Sequence, residues 1–248
     1  MVPGNTYHFR VFTCNEGSVP TNFAAATQAT AAGLLSGIKS ICPTGCDYTS
    51  IGNACNDIRS KGVDGALILE LMSTYAPSVE TYPLVFGNLL TNSSNTITLR
   101  AHSGVSSPIR FFSTASSTFV FNNTNYLSID GLLGGSGRPE TIQIGNNSSN
   151  GSAVQFINGA TNNNISNCRI TGNAVSIGSG IIGFLGTNTT EGNNYNSISN
   201  CSIKDTLGQA IYCVYSLGNT NVPNLYNSIF NNYIYNYYNS SNPSYGVF

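Results

Sequence analysis

The sequence predicts an all-β chain wound as a parallel β-helix solenoid, with one short helix capping its N-terminal end and a partial β-sandwich hairpin ahead of it. Three observations carry this. Hydrophobic residues make up 40% of 248 residues and charged residues only 8%, so a sizeable core is available while something other than charge must hydrate the surface. Asparagine does much of that work: there are 34, with 26 Gly and many Ser and Thr, all mediocre to poor in helix interiors. Finally, short apolar strands recur in the second half at a spacing near thirty residues.

Taken in order, the run Thr6 to Thr13 alternates Tyr7, Phe9 and Val11 against His8, Arg10 and Phe12, as on a half-buried strand. A second strand-like run, Phe23 to Ala31, follows the turn-rich Asn15 to Asn22. This pair resembles the last two strands of a fibronectin type III domain, where a Tyr-x-Phe-Arg-Val segment is typical, so residues 1–32 are expected to be a fragment of one. Two strands cannot bury a sandwich core, which puts the rest of that domain upstream. Met1 to Gly4 show no basic or apolar leader, and Asn242 to Phe248 stop within an apolar run, so both ends are expected to be cut. Residues 33–38 read as linker and 39–248 as the β-helix.

The β-helix opens differently from how it continues. Asp47-Tyr48-Thr49-Ser50 leads into Ile51, Ala54, Cys55 and Ile58, spaced i, i+3, i+4, i+7, which predicts a short amphipathic helix with Ser50 as N-cap. Gly62 to Gly65 end it; Ala66 to Leu71 and Asn95 to Ala101 follow as strands. A helix at that place would cover an open core and an unpaired backbone edge.

Two strand families interleave beyond it. Ile165 to Ile170, Ile198 to Ile203 and Ile229 to Ile234 align without gaps, and Ala153 to Phe156, Ile181 to Phe184, Ile211 to Val214 and Tyr245 to Phe248 form the second set. Helical repeats of this length need amphipathic stretches that are missing here, and leucine-rich repeats need Leu at fixed offsets. A parallel β-helix fits, with Ile165, Ile198 and Ile229 in one inward column, Ile170, Ile203 and Ile234 in another, and Cys168 and Cys201 stacked between them. Asn167, Asn200 and Asn231 would then sit at a left-handed bend, their amides bonding along the column.

Asp47 to Ile51 with Ala54, followed by Leu67-Ile68-Leu69-Glu70 and Thr74-Tyr75, resembles the opening of pectin-lyase-like right-handed parallel β-helix proteins. Tyr126 to Gly131 and Phe156 to Asn164 resemble multidomain bacterial secreted and surface proteins of the same type. The resemblance implies a right-handed solenoid and a secreted or cell-surface location. It implies no single activity, since that superfamily includes lyases, hydrolases, esterases and adhesins.

Enzymes of this fold that cut acidic polysaccharides use clustered Asp with Arg or Lys, often with calcium. The ten carboxylates here are scattered; after residue 140 only Glu191 and Asp205 remain, and no recognised coil carries two. Gly134-Gly135-Ser136-Gly137 reads as a turn, and His8 and His102 as ordinary surface histidines. Of seven cysteines, Cys42, Cys46 and Cys55 could supply one disulfide; with Cys14 the pairing stays open, while Cys168, Cys201 and Cys213 read as small buried hydrophobes. No catalytic residue, metal or cofactor is expected. A net charge of −1 argues against nucleic acid, and no apolar run approaches the twenty residues of a membrane span.

One outward column offers binding chemistry: Arg169, Lys204, Tyr233 and Tyr235, on successive coils, could meet a polysaccharide or cell-surface glycan by hydrogen bonds and ring stacking. The sequence therefore reads as a non-catalytic structural, adhesive or glycan-contacting segment of a large bacterial surface protein. The competing reading is a polysaccharide lyase or glycoside hydrolase whose catalytic coils lie outside this segment.

Overall fold

The computed structural model describes residues 10–11, 24–25, 33–89, 91–186, 190–207 and 209–248. From residue 33 the chain circles three parallel sheets in turn. Sheet 1 holds seven strands: Leu35–Ile41, Val63–Leu71, Thr96–Ala101, Leu127–Leu133, Asn164–Ser166, Ser197–Ser199 and Ser228–Phe230. Sheet 2 holds Ile109–Ser113, Ile142–Asn146, Arg169–Gly172, Ser202–Asp205 and Tyr233–Tyr235. Sheet 3 holds Leu84–Gly87, Ser117–Asn122, Ser152–Ile157, Ile182–Leu185, Tyr212–Leu217 and Tyr245–Val247. From Thr96 onward each circuit visits sheets 1, 2 and 3 in that order, whereas the opening circuits carry α1 between two sheet 1 strands and pass from Val63–Leu71 directly to Leu84–Gly87 of sheet 3; every strand pairs with its counterpart one circuit away.

The expected inward columns are present and longer than the repeat alone suggested. Leu69, Leu99, Ile129, Ile165, Ile198 and Ile229 are in register along sheet 1. Phe111, Ile144, Ile170, Ile203 and Ile234 do the same along sheet 2. From sheet 3, Phe86, Phe121, Phe156 and Phe184 stack with ring centroids 5.5, 4.6 and 4.6 Å apart. Each of these side chains that is fully buried contributes about 1.5–3 kcal/mol of transfer free energy; they form one continuous core, against which the partly buried Ile229 and Ile234 pack.

Between sheets 1 and 2 the bend is tight. Asn167, Asn200 and Asn231 adopt φ of 59°, 54° and 53°, the left-handed region that Asn tolerates best after Gly. Asn167 donates its amide to Asp130 Oδ1 at 3.0 Å, and Asn231 donates to Asn200 Oδ1. Gly131 occupies this bend where the chains come closest, because a Cβ there would lie 2.1 Å from the Asn167 carbonyl oxygen.

A second amide column runs inside. Asn163 donates Nδ2 to Asn196 Oδ1 at 2.9 Å, and Asn196 to Asn227 Oδ1 at 3.1 Å, while each Oδ1 also accepts a backbone N–H from the preceding circuit. Asn193 and Asn224 repeat the pattern. These side chains satisfy bend amides that the sheets cannot reach, which matters because an unpaired buried N–H is costly. Cys168 and Cys201 are buried as expected, yet they also take part in this bonding. Asn232, their counterpart, accepts from Cys201 N at 2.9 Å and donates to the Ile198 carbonyl; Cys201 Sγ accepts from Cys168 N at 3.4 Å, a weaker version of the same bond.

The N-terminal end is closed by helix α1, Ile51–Lys61, which buries Ile51, Ala54, Cys55 and Ile58 against the first circuit. Ser50 Oγ accepts from Asn53 N at 3.0 Å, the expected N-cap, and Gly62 ends the helix. The buried Glu80 adds a second cap: its carboxylate accepts from Ile51 N at 2.6 Å, Gly52 N at 3.1 Å and the Tyr75 hydroxyl at 2.7 Å. Negative charge is favourable at this helix end. Arg59 donates to the Gly87 and Val85 carbonyls at 2.7 and 3.1 Å, covering the edge of the first strand of sheet 3.

Two readings change. Residues 33–38, read as linker, largely enter the first strand of sheet 1, Leu35–Ile41; buried Leu35 and Ile41 anchor it, and the intervening Gly37 breaks the apolar alternation that would have marked it. In sheet 3, Ile182 pairs with Val214 and Tyr212 with Tyr245, so the aligned blocks are displaced by two residues and then one. Residues 212–215 are all buried, which leaves no inside–outside alternation to fix the register. In the N-terminal region, Arg10–Val11 pairs antiparallel with Ala24–Ala25; the rest of residues 1–32, with His8 and Cys14, lies outside the described residues.

Candidate functional site

The outer face of sheet 2 is set by strand parity. Ile144, Ile170, Ile203 and Ile234 point inward, so their neighbours point out. Two outward rows result: Arg110, Gln143, Arg169, Ser202 and Tyr233 in one, and Phe112, Gly145, Thr171, Lys204 and Tyr235 in the other. All four sequence-selected residues, Arg169, Lys204, Tyr233 and Tyr235, therefore share one face. Tyr233 is 67% exposed, and its ring centroid lies 4.5 Å from that of Tyr235. Lys204 Nζ sits 5.8 Å from the Tyr235 ring centre, within cation–π range.

Arg110, Phe112 and Gly145 are among the residues of this face that lay outside the sequence reading. Arg110 and Phe112 are exposed, and Gly145 lets the Phe112 ring lie flat, since a Cβ there would come within 2.7 Å of that ring. The missed signal was the earlier circuit: Ile109 to Phe112 carries the same inward–outward alternation but lacks the Asn bend used to find the repeats. Glu140 reaches across the face, 4.0 Å from the Arg169 guanidinium, and accepts a hydrogen bond from Ser202 Oγ. Three cations thus face one carboxylate, giving this surface a positive balance in a chain of net charge −1.

Several carboxylates elsewhere are engaged in structural bonds. Glu70 pairs with Arg100 at 2.6 Å, and Asp130 accepts from Leu132 N and Asn167. Asp205 is fully buried, accepting backbone N–H groups of the turn that follows it, from Leu207, Gln209 and Ala210. Asp57 bonds Lys61 and Tyr48. Cys42 and Cys46 form a disulfide and Cys55 is free. Burial pushes the thiols of Cys55 and Cys213 up to about 12 and that of Cys168 upward as well, which keeps these groups protonated and unreactive at neutral pH. His102 Nδ1 accepts from Gly104 N at 3.0 Å, and Gly134 to Gly137 form a turn. Among the described residues, no three His, Cys, Asp or Glu side chains gather as a metal site requires, and no helix is long and apolar enough to cross a membrane.

The bend between sheets 3 and 1 carries further hollows. One of about 440 Å³ is lined by Asn162, Glu191, Asn194, Tyr195, Asn221 and Leu225, among others. An adjoining one of about 390 Å³ is lined by Asn88, Asn122, Asn123, Asn158, Thr190 and Glu191. A larger cleft of about 650 Å³ runs beside α1, where Glu80 and Arg59 are already committed to capping. No protein-family model, curated protein or solved structure matches this chain.

Proposed function

We propose that this chain is a non-catalytic, adhesive β-helix of pectin-lyase-like type, part of a secreted or cell-surface bacterial protein, and that the outer face of sheet 2 contacts an acidic glycan. One observation carries the reading: Arg169, Lys204, Tyr233 and Tyr235 lie on a single flat surface, with Arg110 and Phe112 extending it. Guanidinium and ammonium groups pair with uronate or sulfate oxygens, and exposed tyrosine rings stack on the C–H faces of sugars. The parallel strands hold these groups at a regular spacing of roughly 4.8 Å, so an extended polymer meets repeated contacts without reorganising the protein. The structural engagement of Glu70, Asp130 and Asp205 favours a binding surface over hydrolysis.

Binding of the 248-residue chain to immobilised polygalacturonate and heparin, measured at several salt concentrations, tests this. Affinity should fall as salt rises and drop with Arg169→Ala, Lys204→Ala, Tyr233→Ala or Tyr235→Ala. Absence of binding to every acidic glycan tried, or binding indifferent to all four changes, rejects it.

A further inference from the structure

We infer that the bend between sheets 3 and 1 holds a second, separate site, for an uncharged polysaccharide, with Tyr195 and Tyr226 as its stacking platform. Strand register places Tyr126, Asn162, Tyr195 and Tyr226 at one equivalent position on successive circuits, two residues before Ser128, Asn164, Ser197 and Ser228. All four adopt left-handed backbone, with φ of 50°, 56°, 57° and 58°. That conformation suits Asn and is unfavourable for a bulky side chain. Asn162 demonstrates that this fold accepts Asn there. At 195 and 226 the residue is the one the backbone tolerates poorly.

Burial does not compensate for the choice, because Tyr195 is 55% and Tyr226 69% exposed. The two rings stack on each other, 4.8 Å between centroids and 14° between planes, which fixes them as a rigid pair. On the other side of Tyr195 the column has Asn162 in place of a ring, and the hollow of about 440 Å³ opens there. A flat aromatic surface beside a cavity is what a pyranose ring needs for its C–H face.

The surroundings select an uncharged ligand. Asn162, Asn194 and Asn221 supply amides, which match sugar hydroxyls because each is both donor and acceptor. Glu191 is exposed, borders both hollows and is, among the described residues, the one charged residue lining either; it accepts hydrogen bonds from hydroxyls and repels uronates. With the Asn88, Asn123 and Asn158 bends the groove spans five circuits, roughly 19 Å at the spacing of parallel strands, so it fits an oligosaccharide better than a single sugar. This inference stands apart from the sheet 2 reading, which rests on a cationic face and an acidic polymer.

The test uses the 248-residue chain on an array of linear glucan, mannan, xylan and chito-oligosaccharide hexamers, with uronan hexamers alongside. At least one neutral hexamer should bind with little dependence on salt. The double substitution Tyr195→Asn with Tyr226→Asn should weaken that binding by about tenfold or more, the effect of losing ring stacking, while the variant melts no lower than the parent. Glu191→Lys should weaken or redirect it, and Arg169→Ala with Lys204→Ala should leave it unchanged. Failure to bind any neutral hexamer at millimolar concentration overturns the inference, as does binding that survives the double substitution. A clearly lower melting temperature for the double variant would assign the tyrosines to stability and overturn it too.

Discussion

At the N-terminal end of the solenoid, α1 covers the core, Glu80 satisfies the helix amides and Arg59 occupies the carbonyls of an edge strand. At the other end the final circuit, strands Ser228–Phe230, Tyr233–Tyr235 and Tyr245–Val247, pairs on one side only. Phe230, Tyr245, Val247 and Phe248 are between 42% and 54% exposed there. The contrast separates two tasks that an end must perform. Apolar surface can be hidden by any packed element, but edge N–H and C=O groups need a directed partner, which at the capped end Arg59 supplies to the Gly87 and Val85 carbonyls.

Truncating one inward column at two of its positions gives the largest contrast. Ile165→Ala, in a fully buried site, should cost about 3–4 kcal/mol, whereas Ile229→Ala, half-buried in the last circuit, should cost about 1 kcal/mol, read from urea midpoints. Equal costs would mean that the last circuit is as well packed as the middle. Glu80→Ala should cost about 3 kcal/mol, because it strands two helix amides and the Tyr75 hydroxyl in a buried place. Arg59→Ala should cost about 1–2 kcal/mol and make the chain more prone to associate through the uncovered strand Leu84–Gly87, which light scattering would detect. Hydrogen exchange should sharpen the comparison further: amides of 63–71 should exchange close to the global unfolding limit and those of 228–247 much faster.

The smallest effect is acidic. The backbone N–H of Ser40, helped by its hydroxyl and Lys39, holds the Asp47 carboxylate below its usual range. A depressed folded-state value contributes stability above about pH 4 that is lost as pH falls through the folded value. Asp47 is largely exposed, so Asp47→Asn should flatten the acid side of the stability profile only slightly.

What the sequence disclosed follows from how strongly each feature is constrained. Ile165, Ile198 and Ile229, with the Asn bend two residues on, are fixed by both burial and backbone conformation, and their column was legible. So was the outward placement of Arg169, Lys204, Tyr233 and Tyr235, because parity follows once Ile170 is inside. The sheet 3 register was not, since Tyr212 to Tyr215 are buried on both faces and offer no parity. The inner amides of Asn163, Asn196 and Asn227 recur two residues before each Ile, a signal hidden because buried Asn is rare. Tyr195 and Tyr226 escaped notice because their significance lies in φ, which composition does not reveal.

The paired bend columns also bear on how such a rod can change length. Asn163 and Asn167 recur as Asn196 and Asn200, so a cut at one circuit and a join at the next would rebuild the same amide contacts and the same inward Ile. Loss or duplication of residues 165–197 would therefore shorten or extend the molecule by one step of roughly 4.8 Å and leave the columns of Asn163 and Asn167 unaltered. A β-helix built this way can be changed in length by whole circuits, with no further substitution in those two Asn columns.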